Sequence, residues 1–349
     1  MATKIPWTNE TWNFIGGCGE VSAGCRNCAA RRSVGNRFFG LADHPLYKGT
    51  VEGGKWTGVV QTCLDVGRPD ILEQPRHWRT PRMIFVEFMG DLFHPKVPFS
   101  FIERVMRVIE QCPQHTFQIL TKRSQRMLEY FSGVGKQFEL SCCPNLWLGV
   151  SVENQKTADE RIPDVLAIPG AAVRFVSAEP QLGALDLLPW LADVECENCD
   201  WKGFGGNDTP DGGTRKIYKG DKGWNNDWDD PDDDGVWVCP KCGTPDCEMS
   251  YSPHFDPYAA TDPRIDWVII GAESGPGRRP CKEEWVQSLI GQCDAAGTPV
   301  FVKQMDINGK LSRKPEEWPE WARRRDMPAE AQSREGANRG RDARDTNNE

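Results

Sequence analysis

The chain alternates short runs of near-continuous apolar residues with longer segments of helical period. The runs are MIFVEF (83–88), TFQILT (116–121), LWLGVS (146–151), VRFVSA (173–178), DWVIIG (266–271) and PVFVKQ (299–304), preceded by TWNFIGG (11–17) as a first strand. Apolar character on both sides of each run predicts strands buried on both faces. Between them Ile102, Val105, Met106 and Ile109, and again Trp285, Leu289 and Cys293, repeat at helical spacing. Alternating strand and helix predicts a parallel sheet with right-handed crossovers, either a β/α barrel or an open doubly wound sheet.

The residues that follow each run favour the barrel. Asp91 and His94, then Thr121, Lys122 and Arg123, then Glu153 and Asn154, Glu179, Glu273 and Ser274, and Lys303 and Gln304 put polar groups after every strand. Barrels gather such groups at one mouth from many independent loops, whereas an open sheet concentrates them at one switch point. The expected fold is therefore α/β, a partial β/α barrel of six to seven mostly parallel strands.

The alternation breaks after Trp190 and resumes near residue 263. Inside the break, Cys196-Glu-Asn-Cys199 and Cys239-Pro-Lys-Cys242 form two Cys-x2-Cys knuckles, the pattern of a zinc ribbon with a long connecting loop and a closed four-thiolate site. Cys247 is an alternative ligand. Metal binding would supply much of the folding free energy of so small a unit. The expected organisation is a discontinuous core over 1–192 and 263–311, an inserted zinc-ribbon-like subdomain over 193–262, and a charged, disordered tail over 312–349.

Composition narrows the classes. No stretch approaches the roughly 20 apolar residues of a membrane-spanning helix, and the N-terminal residues lack the basic-then-apolar pattern of an export signal, so the expected location is cytoplasmic. Fourteen cysteines in such a chain point to metal ligation, because disulfides rarely persist in the cytosol. The net charge of −9 excludes a uniformly basic nucleic-acid binder, but Asp227, Asp229, Asp230, Asp232, Asp233 and Asp234 concentrate the acid in the insertion and leave the core nearer neutrality.

The most informative cysteines are Cys18, Cys25 and Cys28, spaced Cys-x6-Cys-x2-Cys with no fourth cysteine nearby. A structural zinc site needs four protein ligands, whereas a four-iron cluster held by three thiolates leaves one iron open for chemistry. The competing reading is a zinc site completed by His44 or His94. Gly16 and Gly17, just before Cys18, are candidates for close backbone approach to a cluster.

The cysteine loop ahead of strand-and-helix alternation resembles the radical S-adenosylmethionine (SAM) enzymes. More narrowly, TWNFIGGCGEVSAGCRNC, DLFHPKVP (91–98), ILTKR (119–123), GVSVEN (149–154), SAEP (177–180) and GAESGPGRRP (271–280) resemble a phage and bacterial protein family of radical-SAM type, over residues 5–192 and 264–306. The superfamily spacing is usually Cys-x3-Cys-x2-Cys, so the first gap here is longer. The resemblance implies a [4Fe-4S] cluster on Cys18, Cys25 and Cys28, SAM bound to its open iron, and reductive cleavage of SAM to a 5′-deoxyadenosyl radical. It implies SAM contacts from Glu87, Asp91, Thr121, Ser151, Glu153, Ser177 and Glu179 as partners for the amino group and ribose hydroxyls. Lys122, Arg123 and Lys303 would take the SAM carboxylate or a substrate phosphate. Arg278 and Arg279, beside glycines, form a candidate phosphate cradle.

The implied partners are a reductant such as flavodoxin or ferredoxin and a nucleobase or nucleic-acid substrate for modification or repair. The alternative is a non-catalytic zinc protein that binds nucleic acid through structural metal sites.

Overall fold

The computed structural model describes residues 3, 5–36, 39–137, 140, 143–191, 264–329 and 331, together with the backbone of five short strands between 194 and 251. Eight strands form the central sheet: β1 (Glu10–Trp12), β2 (Met83–Val86), β3 (Thr116–Thr121), β4 (Leu146–Ser151), β5 (Val173–Ala178), β6 (Trp267–Gly271), β7 (Val300–Ile307) and β8 (Lys310–Ser312). Their spatial order follows their sequence order. The first seven pair in parallel, and β8 turns back on β7 as an antiparallel hairpin. Pairing between β1 and β8 is not observed, so closure into a complete barrel is not seen among the described residues.

Helices α1 (Ala29–Gly35), α2 (Asp70–His77), α3 (Phe99–Glu110), α4 (Ser124–Ser132), α5 (Gln155–Leu166) and α6 (Glu283–Ala295) lie between the strands. The two faces of the sheet have different jobs. Ile84, Val86, Phe117, Leu148, Val150, Val176, Val268, Ile270 and Val302 pack with the apolar stripes of the helices in one large core. In α3 that stripe is Phe101, Ile102, Val105, Met106, Val108 and Ile109, all buried. Six such side chains contribute on the order of 10 kcal/mol of transfer free energy before conformational entropy is subtracted. The opposite face carries a compact cluster of Trp7, Phe85, Trp147, Phe175, Trp267 and Phe301. Alternation along each strand separates the two sets.

The expected strands over 116–121, 146–151 and 173–178 coincide with the observed ones. TWNFIGG does not make one strand. It splits into β1 and a two-residue pairing of Ile15–Gly16 with Gln61–Thr62, because Asn13 Oδ1 leaves the ladder to accept from Phe88 N at 2.9 Å and Met89 N at 3.2 Å. The expected disordered tail begins too early at 312. Residues 312–329 fold back on the sheet: Trp318 is buried, Trp267 Nε1 donates to Asp326 O at 2.9 Å, and the Arg325 guanidinium lies over the Phe301 and Trp318 rings. The aromatic residues, not the net polarity of the segment, decide its packing.

Ile265 N donates to Trp190 O at 2.9 Å, so the chain leaves and rejoins the core at one point. Between these residues the described backbone makes antiparallel pairings of 194–196 with 202–203 and 249–251, and of 215–217 with 236–238. Cys199, Cys239 and Cys242 lie outside the described residues, as does the alternative ligand Cys247, and Cys196 is described by its backbone alone. Among the described residues no helix is long and apolar enough to cross a membrane.

Candidate functional site

The chain enters the cysteine loop along a path fixed by the end of β2. Glu87 follows that strand with a φ of 67°, a strained value for a side-chain-bearing residue, and turns its carboxylate under the loop entrance. Its Oε2 accepts from Phe14 N at 2.9 Å and Ile15 N at 2.8 Å. Burial pushes the carboxyl up to about 8, with backbone donors at Phe14, Ile15 and Gly90 acting the other way. Glu87 Oε1, also buried, has no hydrogen-bond partner among the described residues. Gly16 and Gly17, expected to admit a cluster, instead admit backbone. A Cβ on Gly16 would stand 1.6 Å from Leu46 O, and one on Gly17 would stand 2.0 Å from Val59 O.

Beyond Cys18 the loop is held by Arg123, Glu153 and Glu273, which follow β3, β4 and β6, with Asp91 after β2 behind Arg123. After β2 and β3, Arg123 Nη1 donates to Asp91 Oδ2 at 2.6 Å and lies 3.6 Å from Cys18 Sγ, while Nη2 donates to Gly19 O at 3.2 Å. Asp91 Oδ1 is fixed in turn by Thr121 Oγ1 at 2.8 Å and Phe93 N at 2.9 Å. The planar guanidinium serves three acceptors at once, which an ammonium does not do.

After β4, Glu153 is fully buried and accepts from Ser22 Oγ at 2.8 Å. Its charge is met by Arg161 Nη1 at 3.3 Å and Lys122 Nζ at 3.5 Å. Gly24 lies flat against this carboxylate, since a Cβ there would meet Glu153 Oε1 at 2.4 Å. Asn154, the next residue, caps α5 by accepting from Thr157 N in a capping box. After β6, Glu273 Oε2 accepts from Asn27 Nδ2 at 2.8 Å and from Arg279 N at 2.7 Å, and Arg279 Nη2 donates to Ala23 O at 2.8 Å. Burial alone would raise the Glu273 carboxyl, but the donors from Arg279 and Asn27 hold it below its ordinary range. Arg32 Nη1 closes the set by donating to Ser274 O at 2.7 Å.

Most of the polar groups expected at the mouth therefore hold the loop. Arg278 and Arg279, read as a phosphate cradle, are engaged elsewhere: Arg278 Nη1 pairs with Asp306 Oδ2 at 2.6 Å, and Arg279 with Glu273. A different set remains at the ends of β4, β5 and β7. Ser151 and Ser177 are register partners on adjacent strands, and among the described residues neither hydroxyl makes a hydrogen bond. Lys303 is the extra residue of a bulge, since Ile270 pairs with Val302 and Gly271 with Gln304. The bulge aims its ammonium at Glu179 Oε1, 2.5 Å away, in a partly exposed pair.

The thiols differ in setting. Burial and the nearby Asp91 carboxylate push Cys18 up to about 11, against the opposing pull of Arg123. Cys25 is buried, and Cys28 N donates to Cys25 O at 3.2 Å across the two-residue gap. Among the described residues no three His, Cys, Asp or Glu side chains gather closely enough to share one metal ion. Tetrahedral zinc with Zn–S near 2.3 Å would bring thiolates to about 3.8 Å of one another. A cubane cluster makes a looser demand, because each thiolate takes its own iron. His44 and His94 each accept at Nδ1 from a backbone amide, of Leu46 and Lys96, at 3.2 Å, and His94 Nε2 faces the loop, 3.6 Å from where a Cβ on Gly19 would stand. Burial and the adjacent Arg123 lower the His94 ring to about 4. Three thiols on a loop pinned at every intervening turn are a donor set suited to a cluster.

The residues missed in the sequence are those that grip from the side: Ser22, Gly24, Asn27, Arg32 and Arg161. Ser22, Gly24 and Asn27 fill the unspecified positions of the cysteine spacing, and Arg32 and Arg161 lie outside it. Comparison with curated proteins found no match, and neither did comparison with solved structures. A family model matches residues 2–341, and the chain thus belongs to that family, whose description is protein of unknown function (DUF5131).

Proposed function

We propose that the chain is a radical SAM enzyme, with Cys18, Cys25 and Cys28 holding a [4Fe-4S] cluster on a partial β/α barrel. The observation that carries this reading is the placement of the cysteine loop at the carboxyl ends of parallel strands, tied to the ends of β2, β3, β4 and β6 by Asp91, Arg123, Glu153 and Glu273. Sites of β/α folds lie at that end of the sheet. Strand order equal to sequence order, helices on one face and an aromatic cluster on the other support the partial-barrel architecture. The inserted segment is proposed to bind zinc through Cys196, Cys199, Cys239 and Cys242.

Cys18, Cys25 and Cys28 would hold the cluster, which would supply the electron for reductive cleavage of SAM. The protein's own part is positioning. Arg123 orients the Cys18 side of the loop while Asp91 balances its charge, and Glu153 fixes the middle of the loop through Ser22. Ser151, Ser177, Glu179 and Lys303 are the groups left to meet SAM: hydroxyls and a carboxylate for its ribose and amino group, and an ammonium for its carboxylate. Lys303 would exchange its contact with Glu179 for the ligand. The substrate is proposed to be a nucleobase or a nucleic acid, and the electron donor a flavodoxin or ferredoxin.

The test is anaerobic reconstitution with iron and sulfide, reduction, and addition of SAM. 5′-Deoxyadenosine should form and should fall to background in Cys25→Ala. No cleavage above that control, with about two zinc ions and no iron per chain, would instead support a non-catalytic zinc protein.

A further inference from the structure

A cavity of about 610 Å³ opens beside Cys18, between the cysteine loop and a hairpin in which Val51–Glu52 pairs with Lys55–Trp56. Its wall carries Arg26, Arg31, Lys55 and Trp56, with Glu20 as the one acid. Glu20 is already paired with Arg31. Among the described residues Arg26 and Lys55 have no ion-pair partner, and both are exposed. A chain of net charge −9 thus places an uncompensated basic cleft against its most informative cysteine.

The floor suits a flat ligand. Gly53, Gly54 and Gly58 line the cavity, and a Cβ on any of them would meet nothing within 4 Å, so they border open space. Trp56 is half-buried, packs against the core and lines the same space. Val21 and Val59, each next in sequence to a lining residue, are two of the four large apolar side chains exposed among the described residues. Exposed cations beside a half-buried aromatic ring, over backbone that admits close approach, are the parts of a single-strand nucleic-acid site: the cations track phosphates and the ring stacks a base. The volume fits a nucleotide-sized group, since small-ligand sites run roughly 300–1,000 Å³.

We propose that this cleft is a subsite for a phosphate-flanked base of a single-stranded nucleic acid, with Arg26 and Lys55 on the phosphates and Trp56 stacked on the base. It rests on the reading of the cysteine loop as a reactive centre, for it delivers the base to the Cys18 side of that loop. A duplex keeps its bases stacked on one another and does not offer a face to Trp56. An acidic peptide would satisfy the cations but not the ring.

The test is fluorescence anisotropy with the reconstituted full-length protein and labelled single-stranded DNA and RNA oligonucleotides. Competitors are the matching duplex, a free mononucleotide and poly-glutamate. The single strand should bind, and the duplex and poly-glutamate should compete poorly. Lys55→Glu and Arg26→Glu should each lower the salt slope by about one and weaken binding at least tenfold. Trp56→Ala should weaken it roughly 5- to 100-fold. Lys156→Glu, at an exposed site on α5, is the control and should bind as the parent does. Iron per chain, measured on each variant, shows whether the loop is intact.

No strand binding, binding indifferent to Lys55→Glu, or equal displacement by poly-glutamate would overturn the proposal. Displacement by the mononucleotide at equal base concentration would do so too, by assigning the cleft to a free nucleotide. Strand binding without SAM cleavage would overturn the enzymatic reading and leave the cleft standing. SAM cleavage without strand binding would do the reverse.

Discussion

Replacing Gly24 by Ala should loosen the cysteine loop, and the structure says by how much. The new methyl carbon would stand 2.4 Å from Glu153 Oε1, 2.7 Å from its Cγ and 2.8 Å from its Cδ. None of these distances is tolerable between non-bonded atoms. Glu153 is fully buried and is bound to Ser22, Lys122 and Arg161, so it does not swing aside freely. Overpacking of this sort costs about 1–3 kcal/mol. Driving Glu153 off its cations would raise the cost toward the roughly 3–5 kcal/mol of a broken buried ion pair. The molecule has a cheaper escape, which is to release the loop.

Two readouts follow on the metal-free protein. The denaturant midpoint should fall by an amount equivalent to about 1–3 kcal/mol, or the buried Cys25 thiol should become reactive toward a thiol reagent under native conditions. Iron uptake on reconstitution should drop in either case. A variant with an unchanged midpoint, an unreactive Cys25 and full iron loading would refute the claim that the Glu153 contact holds the loop.

Other outcomes are expected. Arg123→Lys cannot serve Asp91, Cys18 and Gly19 together, and should lower iron affinity about 10- to 100-fold, read as iron and sulfide per chain; full loading would count against its positioning role. For Glu87 the folded carboxyl is raised to about 8 from 4.5, so the native state holds the proton longer than the unfolded chain does. Stability should therefore fall as pH rises from 4.5 to 8, by on the order of 4 kcal/mol, and Glu87→Gln should flatten that decline in urea unfolding at pH 5, 7 and 8.5. A parallel decline in both proteins would contradict it. Lys303→Ala should raise the SAM dissociation constant about tenfold or more in equilibrium dialysis while iron content holds. Cys239→Ser should remove zinc and leave iron unchanged by elemental analysis.

The strands were legible because burial on both faces leaves a continuous apolar trace, as in LWLGVS and VRFVSA. Their ends were legible too, since polar residues follow every run. What those residues do was not. Asp91, Glu153 and Glu273 read equally well as ligands of a small molecule, and only their distances to Gly19, Ser22, Asn27 and the arginines between them show that they hold the loop. Gly16 and Gly17 carried a similar ambiguity, because a glycine marks close approach without naming what approaches. The fold-back of 312–329 was hidden by its charge, since the buried Trp318 and the bond from Trp267 to Asp326 O outweigh many solvated side chains. The hairpin at 51–56 had too short a run on each side to register as strands.

The central claim is that three thiolates hold a cluster with an iron left open to SAM. It is tested most directly by electron paramagnetic resonance of the anaerobically reconstituted, reduced protein with and without SAM. The expected spectrum is that of a reduced four-iron cluster whose signal shifts when SAM is added and is absent in Cys18→Ala. A spectrum identical with and without SAM, or iron that stays at background in the parent protein, would contradict it.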